Sequence, residues 1–245
     1  MITSVGPSSE VTQLLRSKLE LTCQATGSPL PTYTWLHHTD TGSSVVRGHE
    51  KNLIIAGISY SDQGHYECQA SNVIHGEQQV VKSSLIHVNV TGAPRVEEKQ
   101  SQVFIVQGSD AEVRVEFCAD PRPELNWLLG GSEAGHSVRL CSGCTHERFT
   151  VLREEASDHR DCYISALRIQ GADKTDSRDY QLHLENTHGL EIHTVTVDVG
   201  EALSQETLIG AVCGGGFVLV LLLIAVFSCA RRCCPNKQLK QDIER

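Results

Sequence analysis

The sequence predicts an all-β protein with two tandem β-sandwiches followed by one transmembrane α-helix. Three observations lead to this prediction. The chain has 245 residues, which is enough for two domains of about 100 residues with a core each. One series of strand signals occurs twice along the chain, and an uncharged apolar run follows the second copy.

The repeat is an ordered series of sequence signals. A strand with a cysteine comes first, a strand with a tryptophan follows, and an alternating apolar strand precedes an aspartate and a tyrosine. The first copy has a second cysteine two residues after its tyrosine, whereas the second copy has Leu182 there. The members are Cys23, Trp35, Asp62, Tyr66 and Cys68 in the first copy, and Cys118, Trp127, Asp176 and Tyr180 in the second.

This order resembles that of the immunoglobulin superfamily. The runs CQATGSPLPTYTW and DQGHYECQASN are similar to its intermediate set, whose members are frequent among cell-adhesion and axon-guidance receptors. The resemblance implies that Cys23 and Cys68 form a disulfide between facing sheets, with Trp35 packed on it. It also implies that the hydroxyl of Tyr66 bonds to backbone. In the second copy only the tryptophan and tyrosine roles carry over, because Leu182 cannot form the bridge.

The second copy contains four cysteines, which in an oxidising compartment predict disulfides in one of three complete pairings. Strands that carry Cys118 and Cys162 are neighbours in the immunoglobulin fold, so we expect these two to pair. Cys141 and Cys144 of the CSGC motif then pair with each other, although a bond from Cys118 to either of them stays open. If the apolar residues after Cys162 point inward, a regular strand turns Cys162 outward, so we expect a bend or bulge there.

Other chemistry finds little support in the sequence. The CSGC motif has zinc-ligand spacing, but extracellular thiols oxidise and no second Cys-x-x-Cys is present. We predict no catalytic residues, metal site or cofactor, because no set of paired acid and base groups is recognisable. The formal charge of -9 leaves no basic patch for nucleic acid.

The apolar run at 208–230 has no charged residue over 23 residues, and as a helix it would span about 35 Å, more than the hydrocarbon core of a bilayer. Basic residues follow it and acidic residues precede it, which places the C-terminus in the cytoplasm. We therefore expect a single-pass type I protein of the plasma membrane, with its N-terminus extracellular, a stalk at 201–207 and a short cytoplasmic tail at 231–245. Because the start of the chain lacks the apolar region of a signal peptide, we expect a mature or truncated form.

Several modification and association sites are predicted. Asn89 lies in the glycosylation sequon Asn-Val-Thr. Gly210 and Gly214 form a Gly-x-x-x-Gly motif, which predicts a lateral dimer of the membrane helix. Cysteines at the cytoplasmic border of the span are candidates for palmitoylation. They are Cys229, Cys233 and Cys234.

The domain organisation leads to a functional prediction. We expect one immunoglobulin-like domain over 1–91 and a divergent one over 92–200, joined by the short linker TGAPR, which limits bending. Such a protein would act in cell-surface adhesion or recognition by binding a cell-surface or extracellular protein, homophilically or heterophilically. The alternative is a ligand-binding co-receptor or decoy without intrinsic signalling. An ectoenzyme would need acid and base groups that the sequence does not supply.

Overall fold

The computed structural model describes residues 2–6, 8–39, 42–97, 101–130 and 138–201. Up to Gly200 these residues belong to one compact unit that consists almost entirely of β-strands, which confirms the all-β prediction. Within the described ranges no helix is long and apolar enough to cross a membrane. The predicted membrane span at 208–230 lies outside the described residues.

The first sandwich packs two sheets face to face. Its strands are β1 (Ile2–Gly6), β2 (Glu10–Leu14), β3 (Leu19–Ala25), β4 (Thr32–His38), β5 (Ser44–Gly48), β6 (Asn52–Ile55), β7 (Gly64–Ile74), β8 (Glu77–Lys82) and β9 (Ile86–Val96). One sheet has the order β1, β3, β6. In the other, β9, β7, β4 and β5 are neighbours, β2 pairs with β9, and β8 pairs with β7.

The second sandwich repeats this arrangement. Its strands are β10 (Gln102–Val106), β11 (Ala111–Asp120), β12 (Glu124–Leu129), β13 (Val138–Cys141), β14 (Thr145–His146), β15 (Phe149–Val151), β16 (Glu155–Ala156), β17 (Cys162–Ile169), β18 (Arg178–Asn186) and β19 (Gly189–Gly200). One sheet has the order β10, β19, β18, β12, β13. The other has the order β14, β15, β17, β11 and continues through β9 into the first sandwich, while β16 pairs with β17.

The core of the first sandwich follows from the alternation in β3. Leu19, Leu21 and Cys23 are buried, and the residues between them are exposed or half-buried. This period of two is the one that a strand with a single core face requires. The Sγ atoms of Cys23 and Cys68 are bonded at 2.05 Å and join β3 of one sheet to β7 of the other. In the chain-entropy account, closing a loop of 45 residues contributes about 4 kcal/mol to stability.

Each sandwich buries one tryptophan whose indole N–H finds an acceptor. Trp35 donates to the carbonyl oxygen of Glu50 at 3.1 Å, and Trp127 donates to Oγ of Ser165 at 2.9 Å. Both rings are fully buried. Because an unpaired N–H in the core would cost free energy, these bonds fix each ring in one orientation.

In the second sandwich an apolar pair takes the place of the inter-sheet disulfide. Val115 precedes Trp127 in the sequence by the same interval by which Cys23 precedes Trp35. Leu182 is the cross-strand partner of Trp127, in the way that the second cysteine of the first sandwich is the partner of Trp35. Val115 is 3% exposed and Leu182 is fully buried. Aliphatic packing therefore fills the space that sulfur occupies in the first sandwich.

Cys118 lies three residues beyond Val115 and therefore on the opposite face of β11. Its Sγ is bonded to that of Cys162 at 2.03 Å, and the two residues are direct partners across β11 and β17. The pairing of these strands runs from Ala111 to Cys118 without a register shift, so this range contains no bulge, and the backbone bends before β17, at Asp158 and His159. The bond needs no inward-facing cysteine, because its two residues are direct partners on neighbouring strands of one sheet. Both cysteines are nearly fully buried, and they pack with the core of the first sandwich.

Both predicted tyrosine corners are present. The hydroxyl of Tyr66 donates to the carbonyl oxygen of Asp62 at 2.9 Å, and that of Tyr180 donates to Asp176 at 3.1 Å. Burial raises the pKa of both tyrosine hydroxyls, which keeps them protonated as donors. Each aspartate carboxylate also forms an ion pair with an arginine, so the turn before β7 and β18 is fixed by charge as well. These arginines are Arg47 and Arg148.

Strand β9 belongs to both sandwiches. Its first half pairs with β2 and β7, and its second half pairs with β11, where Val96 faces Phe117 and Gly92 faces Asp120. The segment TGAPR, which we expected to be a linker, therefore lies inside a strand. The difference arises because β11 supplies partners for the backbone groups of this segment, which a free linker would leave to water.

Side chains reinforce the junction that β9 forms. The buried hydroxyl of Tyr60 donates to the carbonyl oxygen of Gly92 at 3.0 Å and accepts from the backbone N–H of Asp120 at 3.2 Å. Burial raises the pKa of Tyr60 to about 12. The Nε2 of Gln63 donates to the carbonyl oxygen of Arg160 at 3.2 Å, and its Oε1 accepts from β9 at 2.9 Å. The two sandwiches are thus joined by hydrogen bonds of Tyr60 and Gln63 as well as by the shared strand.

We predict that Gln63→Ala destabilises the chain by about 1 to 3 kcal/mol, because it removes one hydrogen bond on each side of the junction and takes the side-chain acceptor from the buried N–H of Val90. Denaturant unfolding of the full chain measures this change. Gln79→Ala is the matched control, because Gln79 is exposed on β8. Equal midpoints for the two variants would contradict the assignment of Gln63 to the junction.

A second prediction concerns His37, which is 2% exposed. Its Nε2–H donates to the carbonyl oxygen of Gln63 at 2.7 Å, and its ring stacks on Tyr66 with centroids 4.5 Å apart. Burial is the main cause that lowers its pKa. The unfolded chain therefore binds a proton at His37 before the folded chain does, so the stability that neutral His37 supports is lost as the pH falls below about 6.5.

Unfolding free energies between about pH 7 and about pH 5 test this dependence. We expect His37→Gln to lose less stability over this range than the parent chain. His75→Gln serves as the control, because His75 is exposed in the turn between β7 and β8. If the unfolding free energies of His37→Gln and of the parent chain change in parallel with pH, the buried neutral histidine does not cause the loss of stability at low pH.

Candidate functional site

In the described part of the chain, the candidate functional site is a surface and not a catalytic centre. Among the described residues no group of three histidine, cysteine or acidic side chains could hold a metal ion. All six cysteines in the described ranges are in disulfides, including Cys141 with Cys144 at the end of β13. The two cysteines of the CSGC motif thus close a local loop through their disulfide, and Cys144 packs on the core of the second sandwich.

The candidate site is the outer face of the first sandwich. In β4 and β7 the residues on the inner side are buried, so the intervening residues point outward. Leu36 is the cross-strand partner of Val46 and of Glu67, and Ser71 is the partner of Val80. We define the outer face by nine of the outward residues of β4, β5, β7 and β8. They are Thr34, Leu36, Val46, Glu67, Gln69, Ser71, Val73, Val80 and Lys82.

Valines are the most exposed apolar residues of this face. Val46 is 50% exposed, Val73 58% and Val80 46%. Val73 and Val80 are diagonal neighbours, because Val80 is opposite Ser71 on the adjacent strand. Single exposed apolar residues are ordinary on protein surfaces, but neighbouring ones on a flat sheet provide area that a partner can cover.

Polar groups surround these valines. The carboxylate of Glu67 lies 3.5 Å from Nζ of Lys82, and it accepts a hydrogen bond from Nε2 of Gln69 at 2.7 Å. The face thus combines apolar area with charges of both signs, which is the composition of a protein interface with a polar rim.

A row of histidines crosses the same sheet nearer to the second sandwich. His38 faces His65 across β4 and β7, and His65 faces His87 across β7 and β9. The rings of His65 and His87 are stacked with centroids 4.7 Å apart. Nη1 of Arg160 lies 2.7 Å from Nε2 of His87, and since a guanidinium only donates, this nitrogen accepts. No local sequence pattern indicates this row, because only the pairing of three strands brings the residues together.

The glycosylation sequon lies within β9. Nδ2 of Asn89 donates to Glu10 at 3.1 Å, and its Oδ1 accepts from Arg160 at 3.2 Å. The hydroxyl of Thr91 donates to the carbonyl oxygen of Asp120 at 2.9 Å. Both side chains of the sequon therefore contribute to the junction. Glycosylation of Asn89 stays a prediction, and a glycan on its nitrogen would replace the contact to Glu10.

The remaining predicted positions lie in the C-terminal segment. These are the glycines of the proposed dimer motif and the cysteines proposed for palmitoylation, and all of them lie outside the described residues. They are Gly210, Gly214, Cys229, Cys233 and Cys234.

Each sandwich matches a known family model. A family model described as an immunoglobulin domain matches residues 2–72, and one described as an immunoglobulin I-set domain matches residues 94–199. Among solved structures, extracellular domains 3–5 of Drosophila OTK superpose with a TM-score of 0.51 at 16% identity, covering 79% of this chain and 64% of that one. At this identity the likeness concerns the fold alone.

Curated relatives include a membrane protein and a cell adhesion molecule. The rat limbic system-associated membrane protein is 35% identical over 159 residues, which cover 63% of this chain and 45% of the relative. Chicken neural cell adhesion molecule 1 is 30% identical over 128 residues, which cover 48% of this chain and 11% of the relative. The chain thus spans less than half the length of these relatives.

These families are non-enzymatic, which confirms the prediction that the chain is not an enzyme. The intermediate-set resemblance rested on the first domain, which is matched at the level of an immunoglobulin domain, whereas the model of the intermediate set matches the second domain, which we expected to be divergent. The chain is therefore built from two immunoglobulin-like domains, and its named relatives include a neural cell adhesion molecule.

Proposed function

We propose that the protein acts in cell-surface adhesion or recognition through protein–protein contacts of its immunoglobulin-like domains, and that the outer face of the first sandwich makes the contact. The observation that carries this proposal is the set of exposed valines on that face. The opposite side of the same strands is buried in the core. Similarity to a neural cell adhesion molecule supports the same conclusion.

A flat face with both charges and apolar area suits contact with a second copy of itself. In a contact with two-fold symmetry, every residue of the face meets the same face of the partner, so oppositely charged groups such as Glu67 and Lys82 can approach each other's counterparts. A single contact between two such faces can be weak. Many copies on opposing cells bind at once, and the first contacts raise the effective concentration for the next. We therefore favour homophilic adhesion.

The location proposed for this function is the plasma membrane. We propose a single-pass type I topology, with the span at 208–230 and the domains at 1–91 and 92–200 outside the cell. Three disulfides in the described residues support an oxidising compartment. In this topology both sandwiches are extracellular, and the outer face of the first is available to other cells.

A cell-mixing experiment tests the proposal. Suspension cells that display the full chain behind a supplied signal peptide are labelled and shaken with unlabelled cells that lack it. We expect clusters that contain labelled cells only. Val80→Asp should abolish them, because a carboxylate buried without a partner at the centre of an interface costs about 2 kcal/mol or more per contact.

Val106→Asp is the matched control, because Val106 is a comparably exposed valine on β10 of the second sandwich. It should leave clustering unchanged. If the parent chain is displayed and its cells stay dispersed, homophilic adhesion is contradicted, and a ligand-binding co-receptor becomes the better account. If Val80→Asp cells cluster like the parent, the outer face is not the contact.

A further inference from the structure

Exposure separates one of the three disulfides in the described residues from the other two. In the inter-sheet disulfide of the first sandwich and in the disulfide at the junction, no cysteine is more than 4% exposed. In the third, Cys141 is exposed at the end of β13, and its partner Cys144 is half-buried. We call this bond the CSGC disulfide. Exposure is one of the properties that open a disulfide to attack by a thiolate.

Cys141 lies at the edge of its sheet and on the outer side. Leu140 is the cross-strand partner of Trp127 and is buried, so the next residue of β13 points away from the core. Strand β13 is the last in the order of this sheet, and among the described strands only β12 pairs with it. A dissolved thiol can therefore approach Cys141 without displacing a neighbouring strand of the described sheet.

Backbone hydrogen bonds hold the turn of the CSGC disulfide independently of sulfur. The N–H of Cys144 donates to the carbonyl oxygen of Cys141 at 3.0 Å. Gly143 donates to the carbonyl oxygen of Val151 at 2.9 Å, and the N–H of Val151 donates to that of Cys144 at 2.9 Å. Gly143 has a φ of +76°, which glycine adopts without strain at the third position of a tight turn. These contacts keep the two sulfur atoms close to each other after the bond between them is broken.

The CSGC disulfide also contributes least to the stability of the fold. Its cysteines are 3 residues apart in the sequence, whereas the other two disulfides join residues 45 and 44 apart. In the chain-entropy account the stabilisation by a disulfide grows with the length of the loop that it closes. The bond with the most exposed cysteine is therefore also the one whose opening costs the fold the least free energy.

Two arginines flank the CSGC disulfide. Arg139 is exposed and lies on the same side of β13 as Cys141, two residues before it. A Cβ added to Gly143 would lie 3.8 Å from Nε of Arg153, so this guanidinium group approaches the turn itself. Glu147 is the acidic residue between the two arginines in the sequence. Positive charge beside a disulfide attracts an anionic thiolate and stabilises the thiolate that leaves.

We propose that the CSGC disulfide is a thiol–disulfide exchange site for low-molecular-weight thiols. The thiolate of one such molecule attacks Sγ of Cys141, and a bond between these two sulfur atoms forms while the bond to Cys144 breaks. Cys144 leaves as a thiolate and takes up the proton that the attacking thiol lost on ionisation.

A second thiol molecule completes the reaction. Its thiolate attacks the sulfur of the first molecule, which releases the oxidised dimer of the thiol and leaves Cys141 as a thiolate that takes up the second proton. In sum the CSGC disulfide is reduced to two thiols, and two thiol molecules are oxidised to one disulfide. The oxidised dimer can reverse both steps, because the turn keeps Cys144 beside Cys141.

A titration with glutathione tests the proposal. The full chain, purified in detergent, is incubated with increasing concentrations of reduced glutathione, and free thiols are capped with a maleimide. After denaturation and complete reduction, the remaining cysteines are capped with an isotopically different maleimide. Trypsin cleaves after Arg139 and Arg148, so both cysteines of the CSGC disulfide lie in the peptide 140–148. Mass spectrometry then measures the opened fraction of each disulfide.

We expect the peptide 140–148 to be opened by about tenfold less glutathione than the peptides of the other two disulfides, because access to sulfur governs the attack. Oxidised glutathione should close it again. The two buried disulfides report in the same molecules that both sandwiches remain folded. Opening of all three disulfides at one concentration would overturn the proposal. It would also be overturned if 140–148 stays closed until the others open, or if oxidised glutathione does not close it.

A matched pair of variants tests whether Cys141 is the accessible sulfur. Cys144→Ser leaves an exposed thiol at position 141, whereas Cys141→Ser leaves a thiol that packs on the core. Treated with oxidised glutathione, the first variant should form its mixed disulfide about tenfold faster than the second, because exchange requires access to the sulfur. Mass spectrometry of the intact chain follows both reactions. Equal rates, or a faster reaction at Cys144, would contradict the assignment of Cys141.

Discussion

The pairing of β9 with strands of both sandwiches governs the arrangement of the described chain. Eleven residues run from one sandwich into the other without leaving a sheet. The first half completes a sheet of the first sandwich, and the second half completes a sheet of the second. Since no free linker separates the sandwiches, their contact surfaces must be built to fit, and Tyr60 and Gln63 occupy that contact as buried hydrogen-bonding groups.

This junction also accounts for the unusual cysteine of the second sandwich. On an isolated sandwich Cys118 would lie on an exposed face, because Val115 occupies the inward position. The first sandwich covers that face, so the Cys118–Cys162 disulfide is buried between the two sandwiches. The core loses a covalent link between its sheets but keeps its packing through Val115 and Leu182. The disulfide of the second sandwich therefore lies at its border with the first sandwich and not in its centre.

Much of the fold could be predicted from the sequence, because it rests on local spacing. Period-two alternation in β3 and the distance from Tyr66 to its aspartate are visible without knowledge of the partners. The face on which Cys118 lies could not be predicted in this way. In β11 the inward position that corresponds to Cys23 is held by Val115, three residues before the cysteine. The strand through Pro94 and the pairing of His38 with His65 depend on distant residues, and no local pattern encodes them.

Hydrogen exchange of the full chain tests the shared strand most directly. The account predicts that the amides of 92–97, where β9 pairs with β11, exchange as slowly as those of 86–91, where β9 pairs with β7 and β2. Exchange of 92–97 at the rate of exposed loops, with 86–91 still protected, would contradict it. The segment would then be a flexible linker, and the two sandwiches would move independently.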